Sequence, residues 1–421
     1  MKSVEATVVK HTGSHYILSI LPSWNPFPAV IRGHLRQHKA VATNPVAVGD
    51  KVLCQVPDDF DAGAGIGRGG CRDGGGCSDG LGPCGAGVGS GASAGLTGAG
   101  LGGVNAQNPA LITEVLPRRN YLIRRSTNLS REAHVIASNV DRAFVVVTLA
   151  FPEVKLPFLD RLLVTCEAYG IPVTIVLNKV DLLEEFPDMI SHFEDIYCGA
   201  GYPVIRTSVR TGQGIEQLRQ ALCGGVNLLS GISGVGKSSI VKCLDPSLDP
   251  KTAPISVSHL QGRHTTTFYE MYPLCSGGFI IDTPGIRSFG LLDLPREEVA
   301  LYFPEMLRVG KSCRFTPCTH THEPGCAVKA AVEAAADAAA DAGAKGNAVE
   351  TATSEPLAVA ASEVASGAAS VVADACAKGK AVEAATSESL AGAADAARSM
   401  TVSPERYNSY LGMLEEQTKY R

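Results

Sequence analysis

The sequence lacks the features that mark membrane, secreted or strongly basic nucleic-acid-binding proteins. No apolar segment near the N-terminus resembles a signal peptide, and the longest apolar run, residues 144–151, suits a core strand rather than a bilayer span. The net charge is only −5, so contacts with nucleic acid must come from local basic patches, such as residues 32–39 and 118–125. These absences predict a cytoplasmic protein with no membrane partner.

Disulfides are not expected either, although the chain has 13 cysteines. Without a secretory signal, so many cysteines indicate a reducing compartment and thiol or metal chemistry. Cys71, Cys77 and Cys84 are loosely spaced in a glycine-rich stretch at about residues 59–108, which favours a linker over a metal site. A second low-complexity stretch, rich in alanine, spans about residues 333–400, and its first part can continue a helix that starts after Cys326.

What the chain does contain is a set of nucleotide-binding motifs in an unusual order. Asn178-Lys179-Val180-Asp181 matches the guanine-binding NKxD motif, and Ser208 follows in the loop that closes over the base. Only then comes a P-loop, residues 231–238, and a DxxG motif at 282–285 comes last. Because a Ras-like chain begins with the P-loop, this order indicates a circularly permuted GTPase.

Each of these three motifs follows an apolar run, at residues 173–177, 226–230 and 278–281. Such runs predict buried parallel strands, and the carboxyl ends of parallel strands share one edge of an α/β sheet. The sequence therefore predicts that all three motifs meet at the ligand-binding edge of one sheet.

The motifs assign a role to each side chain. Lys237 faces the β- and γ-phosphates, Ser238 is a Mg²⁺ ligand, and Asp282 holds the ion through water. Asp181 accepts hydrogen bonds from guanine N1–H and N2–H₂, a donor pair that adenine lacks. The predicted nucleotide-binding set is Asn178, Lys179, Asp181, Ser208, Gly231, Gly234, Val235, Gly236, Lys237, Ser238, Ser239, Asp282 and Gly285.

Residues 262–267, Gly-Arg-His-Thr-Thr-Thr, lie where switch I must be. We expect Thr266, with Thr265 second, to complete the Mg²⁺ shell. Ile286 stands where Ras-like enzymes carry a water-positioning Gln, so intrinsic hydrolysis should be slow. His264 is the nearest candidate to assist it and joins Lys237 and Thr266 in the predicted catalytic set; a solvent-exposed loop histidine is the alternative.

The segments on either side of the GTPase motifs differ from them in character. Short strands between turn signals predict a small Greek-key barrel at residues 1–117, interrupted by the glycine-rich insertion. The GTPase domain should span 118–296, and an α domain with the alanine-rich insertion should span 297–421. The predicted fold class is thus α/β: a circularly permuted P-loop GTPase domain with an N-terminal OB-fold β-barrel and a C-terminal zinc-binding α domain.

The zinc prediction depends on Cys313, Cys318, His320 and Cys326, which lie within fourteen residues. Three thiolates and one imidazole suit tetrahedral Zn²⁺, and a shell filled by protein indicates one structural ion. His322 is a competing ligand, and unrelated cysteines in a loop are the alternative to a metal site.

Taken together, these motifs resemble the ribosome small-subunit-dependent GTPase A family (RsgA, YjeQ type). The resemblance covers nearly the whole chain outside the two insertions. It implies a monomeric 30S assembly factor that binds 16S rRNA through the barrel and the zinc domain and leaves when GTP is hydrolysed. It also implies that Cys313, Cys318, His320 and Cys326 hold zinc and that His264 assists hydrolysis.

Two other classes of protein remain open. One is a permuted GTPase of the large subunit, but such proteins lack the barrel and the zinc cluster. The other is a GTP-dependent RNA-binding module with little hydrolysis of its own, which Ile286 keeps possible.

Overall fold

The computed structural model describes residues 1–12, 15–31, 45–61, 104–105, 107–125, 133–248, 255–256, 261–262, 269–282, 294–346 and 401–419. By its internal contacts the chain divides into two compact units, one comprising Met1–Ala40 with Pro45–Pro117 and the other Val41–Asn44 with Arg118–Arg421. A separation between the GTPase and the zinc domain near residue 296 stays a prediction. Among the described residues, no helix is long and apolar enough to cross a membrane.

The first unit is a five-stranded barrel of the OB type, which confirms the predicted N-terminal fold. Its strands pair in the order β1-β2-β3-β5-β4, and a further pairing of β1 with β4 closes the ring. Only β3 and β5 run parallel. Closure leaves no open sheet edge, and alternate side chains such as Val8, Leu18 and Ile112 fill the interior. The strands are β1 Lys2–Thr12, β2 His15–Ser19, β3 Phe27–Ile31, β4 Lys51–Val56 and β5 Ala110–Val115.

The second unit begins with a hairpin and continues as alternating strands and helices. The hairpin strands are β6 Tyr121–Arg125 and β7 Ala133–Ser138. The elements that follow are β8 Arg142–Val147, α1 Leu156–Ala168, β9 Val173–Asn178, a 3₁₀ turn Val180–Leu183, α2 Pro187–Ala200, β10 Val204–Thr207, α3 Ile215–Ala221, β11 Val226–Ser230, α4 Lys237–Leu244, β12 Ile255–Ser256, β13 Gln261–Gly262, β14 Glu270–Pro273 and β15 Phe279–Asp282.

The central sheet of this unit is parallel, as the apolar runs predict. Its strands lie in the order β10-β9-β8-β11-β15, with β14 antiparallel to β15. The centre of the sheet is buried, and β8, β9 and β11 are mostly apolar, as is typical of parallel strands covered on both faces. The NKxD motif follows β9, the P-loop follows β11, and Asp282 ends β15, so the three motifs share one edge.

The rest of the second unit is helical. It comprises a 3₁₀ turn Val299–Tyr302, α5 Pro304–Gly310, α6 Ala327–Gly346 and α7 Pro404–Lys419. Helix α6 carries the alanine-rich composition as far as Gly346. Phe303, Met306, Val328 and Tyr410 form a core of their own, and Val164 of α1 belongs to the same core. We call the elements between Val299 and Gly346, together with α7, the helical module. The shared apolar core packs this module against α1 of the GTPase.

A buried ion cluster reinforces this junction. The Arg406 guanidinium in α7 donates to Asp160 Oδ1 of α1 at 2.6 Å and to Glu305 Oε1 of α5 at 2.5 Å, and all three side chains are at most 1% exposed. Arg406 also lies 4.9 Å from the centre of the Phe303 ring and 5.6 Å from that of Tyr197. The Arg406 cation thus links α7 to α1 and to α5, and the surrounding aromatic rings keep water away from these ion pairs.

Replacing Arg406 by Met should lower the free energy of unfolding by about 3–5 kcal/mol, because Asp160 and Glu305 would be left buried without a cation. Urea denaturation followed by circular dichroism measures this loss. Arg219→Met is the control: Arg219 pairs with Glu216 at the surface, where an ion pair contributes about 1 kcal/mol or less. Equal losses in the two variants would contradict the assigned role of Arg406.

Candidate functional site: a guanine nucleotide site and a metal centre

The P-loop leads from the end of β11 into the first turn of α4. Gly231 and Gly236 have φ values of 148° and 102°. A Cβ on Gly231 would lie 2.4 Å from the carbonyl oxygen of Val146, and one on Gly236 would lie 2.4 Å from Asn178 Nδ2. Both positions therefore require glycine, for the backbone angle and for close contact with neighbouring strands.

Lys237 is the first residue of α4, and its side chain is folded back over the loop. Its ammonium donates to the carbonyl oxygens of Gly231 at 2.7 Å and Ile232 at 3.0 Å. The side chain is only 7% exposed. The loop thus holds a point charge beside the helix N-terminus, where nucleotide phosphates bind in P-loop proteins. Ser238 is half-buried next to it, and Ser239 is exposed.

The NKxD motif is bonded directly to the P-loop. The Asn178 amide donates to the carbonyl of Val235 at 2.8 Å and accepts from Thr207 Oγ1 at 3.1 Å. The Lys179 ammonium donates to the carbonyl of Gly234 at 2.8 Å and to that of Phe151 at 2.5 Å. We call these bonds the clasp. It makes the base-binding and phosphate-binding motifs one assembly, although they lie more than fifty residues apart.

Burial lowers the pKa of Lys179, and the nearby Asp181 carboxylate opposes this shift only in part. Lys179 also has a φ of 63°, in the left-handed region that non-glycine residues seldom adopt. The turn after β9 therefore points the lysine at the P-loop.

Asp181 is oriented by the loop after β10. Ser208 Oγ donates to Asp181 Oδ1 at 2.6 Å, and the backbone N–H of Thr211 donates to Ser208 Oγ at 3.2 Å. Arg210 lies 3.9 Å from the other carboxylate oxygen. The Asp181 side chain is only 9% exposed, so it is a shielded acceptor of fixed direction, as guanine recognition requires.

Sequence reasoning missed Thr207 and Arg210. Both residues lie close to Ser208 in the chain, and this position could have identified them. Residues next to the base-closing loop are well placed to contact the NKxD motif. Several predicted residues lie outside the described residues: His264, Thr265, Thr266, Gly285, Ile286, the cysteines at 71, 77 and 84, and the basic residues at 32–39. Asp282 is described by its backbone, which ends β15 opposite Leu229.

Four possible metal ligands meet between α5 and α6. The ligand atoms of Cys313, Cys318, His320 and Cys326 all lie within 4.8 Å of one another. His320 Nδ1 is 3.6 Å from Cys313 Sγ and 3.4 Å from Cys326 Sγ, and those two sulfurs are 3.9 Å apart. A tetrahedron with Zn–S bonds of about 2.3 Å has S–S edges of about 3.8 Å, so the donor set fits Zn²⁺ in both chemistry and size.

The competing ligand, His322, is exposed, and its Nδ1 contacts Thr321 Oγ1 at 2.9 Å. Helix α7 supports the cluster: Tyr407 donates to the carbonyl of His320 and Tyr410 to that of Thr319, each at 2.6 Å. Although burial opposes the shift, hydrogen bonds from Thr319 lower the pKa of Glu323 to about 2. Glu323 therefore remains a carboxylate that ties the loop together at ordinary pH.

Comparisons with known proteins agree with this geometry. A family model described as RsgA GTPase matches residues 115–292. The small ribosomal subunit biogenesis GTPase RsgA of Bacteroides fragilis strain YCH46 is 38% identical over 331 residues, which cover 78% of this chain and 90% of the relative. The protein of the same name from Porphyromonas gingivalis strain W83 is 38% identical over 332 residues, with the same coverage.

Two solved structures share the fold. YjeQ from Thermotoga maritima has a TM-score of 0.54 at 27% identity and covers 79% of this chain and 92% of its own. YloQ, described as a circularly permuted GTPase, has a TM-score of 0.52 at 24% identity and covers 79% of this chain and 89% of its own. These likenesses confirm the predicted circular permutation.

Asp181→Asn should weaken GTP binding by about 100-fold or more, because an amide NH₂ would face guanine donors and leave buried groups unpaired. Titration with a fluorescent GTP analogue measures the affinity. Asp188→Asn is the control, since Asp188 is an exposed residue of α2. Unchanged affinity in Asp181→Asn would contradict the NKxD assignment.

Purified protein should carry about one zinc ion per chain, and Cys318→Ser should lose it and destabilise the helical module, because metal binding there contributes to folding. Elemental analysis and limited proteolysis provide the two readouts. Cys198→Ser, at a half-buried cysteine outside the cluster, should keep its zinc. Protein prepared without chelators that contains no zinc would refute the metal site.

Proposed function

This chain belongs to the RsgA GTPase family, and on that premise we propose that it hydrolyses GTP as a late assembly factor of the 30S ribosomal subunit. Its curated relatives are named for small-subunit biogenesis, and the alignments cover nine-tenths of their length. The observation that supports the proposed GTP site is the clasp, whose hydrogen bonds hold the NKxD motif against the P-loop.

The specificity for guanine follows from Asp181. Its carboxylate is shielded and held by Ser208, so it offers two acceptors in a fixed direction. Guanine N1–H and N2–H₂ match these acceptors, whereas adenine would leave the carboxylate unpaired in a poorly hydrated site, which is costly. GTP is therefore favoured over ATP.

The phosphate chemistry is assigned to the P-loop and the switches. Lys237 neutralises charge on the β- and γ-phosphates. A magnesium ion bound with GTP would be held by the hydroxyls of Ser238 and Thr266 and would neutralise phosphate charge. By its place in the DxxG motif, the N–H of Gly285 would bind the γ-phosphate. Ile286 has no polar group to orient water, so we assign assistance in hydrolysis to His264.

We assign recognition of the particle to the flanking modules. The OB-type barrel suits single-stranded or irregular RNA, and one structural zinc would keep the 313–326 loop rigid enough to contact 16S rRNA. The factor acts as a monomer in the cytoplasm and leaves the particle when GTP is hydrolysed. Ordering of the switches by the γ-phosphate provides that control, since loss of the γ-phosphate releases such segments.

Addition of 30S particles should raise GTP turnover by about tenfold or more, because the missing catalytic geometry forms on the particle. Addition of 50S particles should have little effect. Phosphate release at saturating GTP measures both rates. Lys237→Ala should abolish turnover under every condition, and His264→Ala should keep GTP binding but lose most of the stimulated rate.

Other outcomes separate the alternatives. Stimulation by 50S particles alone would indicate a large-subunit factor. Tight GTP-dependent binding to 30S particles without turnover would indicate an RNA-binding module that does not hydrolyse GTP.

A further inference from the structure

An apolar groove lies beside the nucleotide site, between α2 and the loop that follows β8. It has a volume of about 210 Å³. Leu149, Val154, Leu156, Met189, Phe193 and Ile196 line it. Small-molecule sites are usually about 300–1,000 Å³, so the groove is small for a second nucleotide or cofactor and suits a few side chains of a protein segment.

Exposed apolar side chains also occur in the chain segments that supply the groove residues or directly precede them. Of the large hydrophobic side chains that are exposed in the described residues, four come from this region: Phe151 is 67% exposed, Phe186 55%, Leu182 46% and Met189 46%. Phe151 belongs to the loop that forms one wall, and Met189 lines the groove itself. Exposed apolar side chains that accompany an apolar groove are typical of a site of interaction with another protein.

The charge of this region selects the type of partner. Residues 182–195 contain five acidic residues and neither lysine nor arginine. Glu184, Glu185 and Asp188 are exposed, whereas Glu194 is paired with Arg206. The groove lining adds Glu153 and one cation, Lys155, while its His192 lies 3.3 Å from Glu405. Glu184, Glu185 and Asp188 lie just before the groove residue Met189 in the chain, and we call these three residues the acidic rim. Such an acidic segment repels the phosphates of RNA and attracts a basic polypeptide.

The groove is also bonded to the nucleotide site. The Lys179 ammonium donates to the carbonyl of Phe151, in the loop whose residues Leu149 and Glu153 line the groove, and to that of Gly234, in the P-loop. A segment seated in the groove would therefore pack on a loop that the clasp itself holds. Binding at the groove and binding of nucleotide should be energetically coupled, and such coupling acts in both directions.

We propose that this groove is a docking site for a basic segment with an apolar face, supplied by a protein of the small ribosomal subunit. The segment places aliphatic side chains in the groove and lysines or arginines against Glu184, Glu185 and Asp188. The inference rests on the proposed function, because the partner is part of the same particle. It differs in assigning this face of the GTPase to protein rather than to rRNA.

The test compares intact 30S particles with protein-free 16S rRNA. Met189→Glu places a charge in the groove and should weaken binding to 30S particles by about tenfold, measured with a non-hydrolysable GTP analogue bound. Its affinity for protein-free 16S rRNA and for the GTP analogue should stay as in the wild type. Leu301→Glu is the matched control, since Leu301 is 51% exposed but lies outside the groove.

Reversal of the rim charge provides a second arm. The double variant Glu184→Lys, Glu185→Lys should slow association with 30S particles, because charge steers encounter, and should not slow association with protein-free rRNA. If Met189→Glu binds 30S particles with the affinity of the wild type, the groove is not a docking site and the inference is wrong. If it loses affinity equally for protein-free rRNA, the face contacts RNA and the inference is likewise wrong.

A peptide arm keeps this inference separate from the proposed function. A fluorescent amphipathic helix of leucine and lysine should bind the wild type more tightly than Met189→Glu, by fluorescence anisotropy. The same helix with glutamate in place of lysine should not bind. If the wild type failed to bind 30S particles, the proposed function would fall. The lysine peptide would still test whether the groove binds a basic segment. Equal affinity of this peptide for the wild type and for Met189→Glu would overturn the groove assignment.

Discussion

The nucleotide site depends on the clasp, in which one buried amide and one lysine bond to the backbone of the P-loop. The acceptors are the carbonyls of Val235 and Gly234, and the donors come from Asn178 and Lys179. Because glycine at position 236 leaves no side chain between them, the two motifs can approach to hydrogen-bonding distance. A permuted chain can still form this site, since the clasp depends on which strands are neighbours and not on the order in which they are synthesised.

The helical module is held to the GTPase by burial and by charge together. Val164 of α1 contributes to the module's core, and Asp160 of the same helix bonds to Arg406 of α7. The group of Cys313, Cys318, His320 and Cys326 is then held through α7, whose two tyrosines bond to the backbone at residues 319 and 320. Any nucleotide-dependent change in the position of these four candidate ligands must therefore move α1 with it or break a buried ion cluster, which is costly.

The groove beside α2 is the proposed contact for a protein partner. Its acidic rim would repel phosphate, so the proposed rRNA and protein contacts would use separate surfaces of the molecule. Lys179 bonds both to the loop that supplies one side of the groove and to the P-loop, so a segment bound in the groove would contact a loop that is hydrogen-bonded to the nucleotide site. Without the bond from Lys179 to Phe151, support of the base would be the only role assigned to this lysine.

The sequence by itself determined the motifs, their permuted order, the buried strands that precede them and the four candidate metal ligands. These are recognisable because the chemistry lies in short contiguous segments, where spacing and strand patterns are sufficient. Strand boundaries are less evident from the sequence: β1 extends over Lys2–Thr12, although polar residues occur throughout this segment. Cross-strand pairing, which the local pattern does not contain, extends the strand at both ends.

Only the tertiary structure decided the contacts between distant segments. Arg406 is more than two hundred residues from Asp160 in the chain, and its motif reads as an ordinary capped helix. Nothing local distinguishes a buried arginine from a solvated one, because its burial depends on α1 and α5 packing around it. The same holds for Tyr407 beside the metal cluster and for the groove next to Met189, which exist only where separate elements meet.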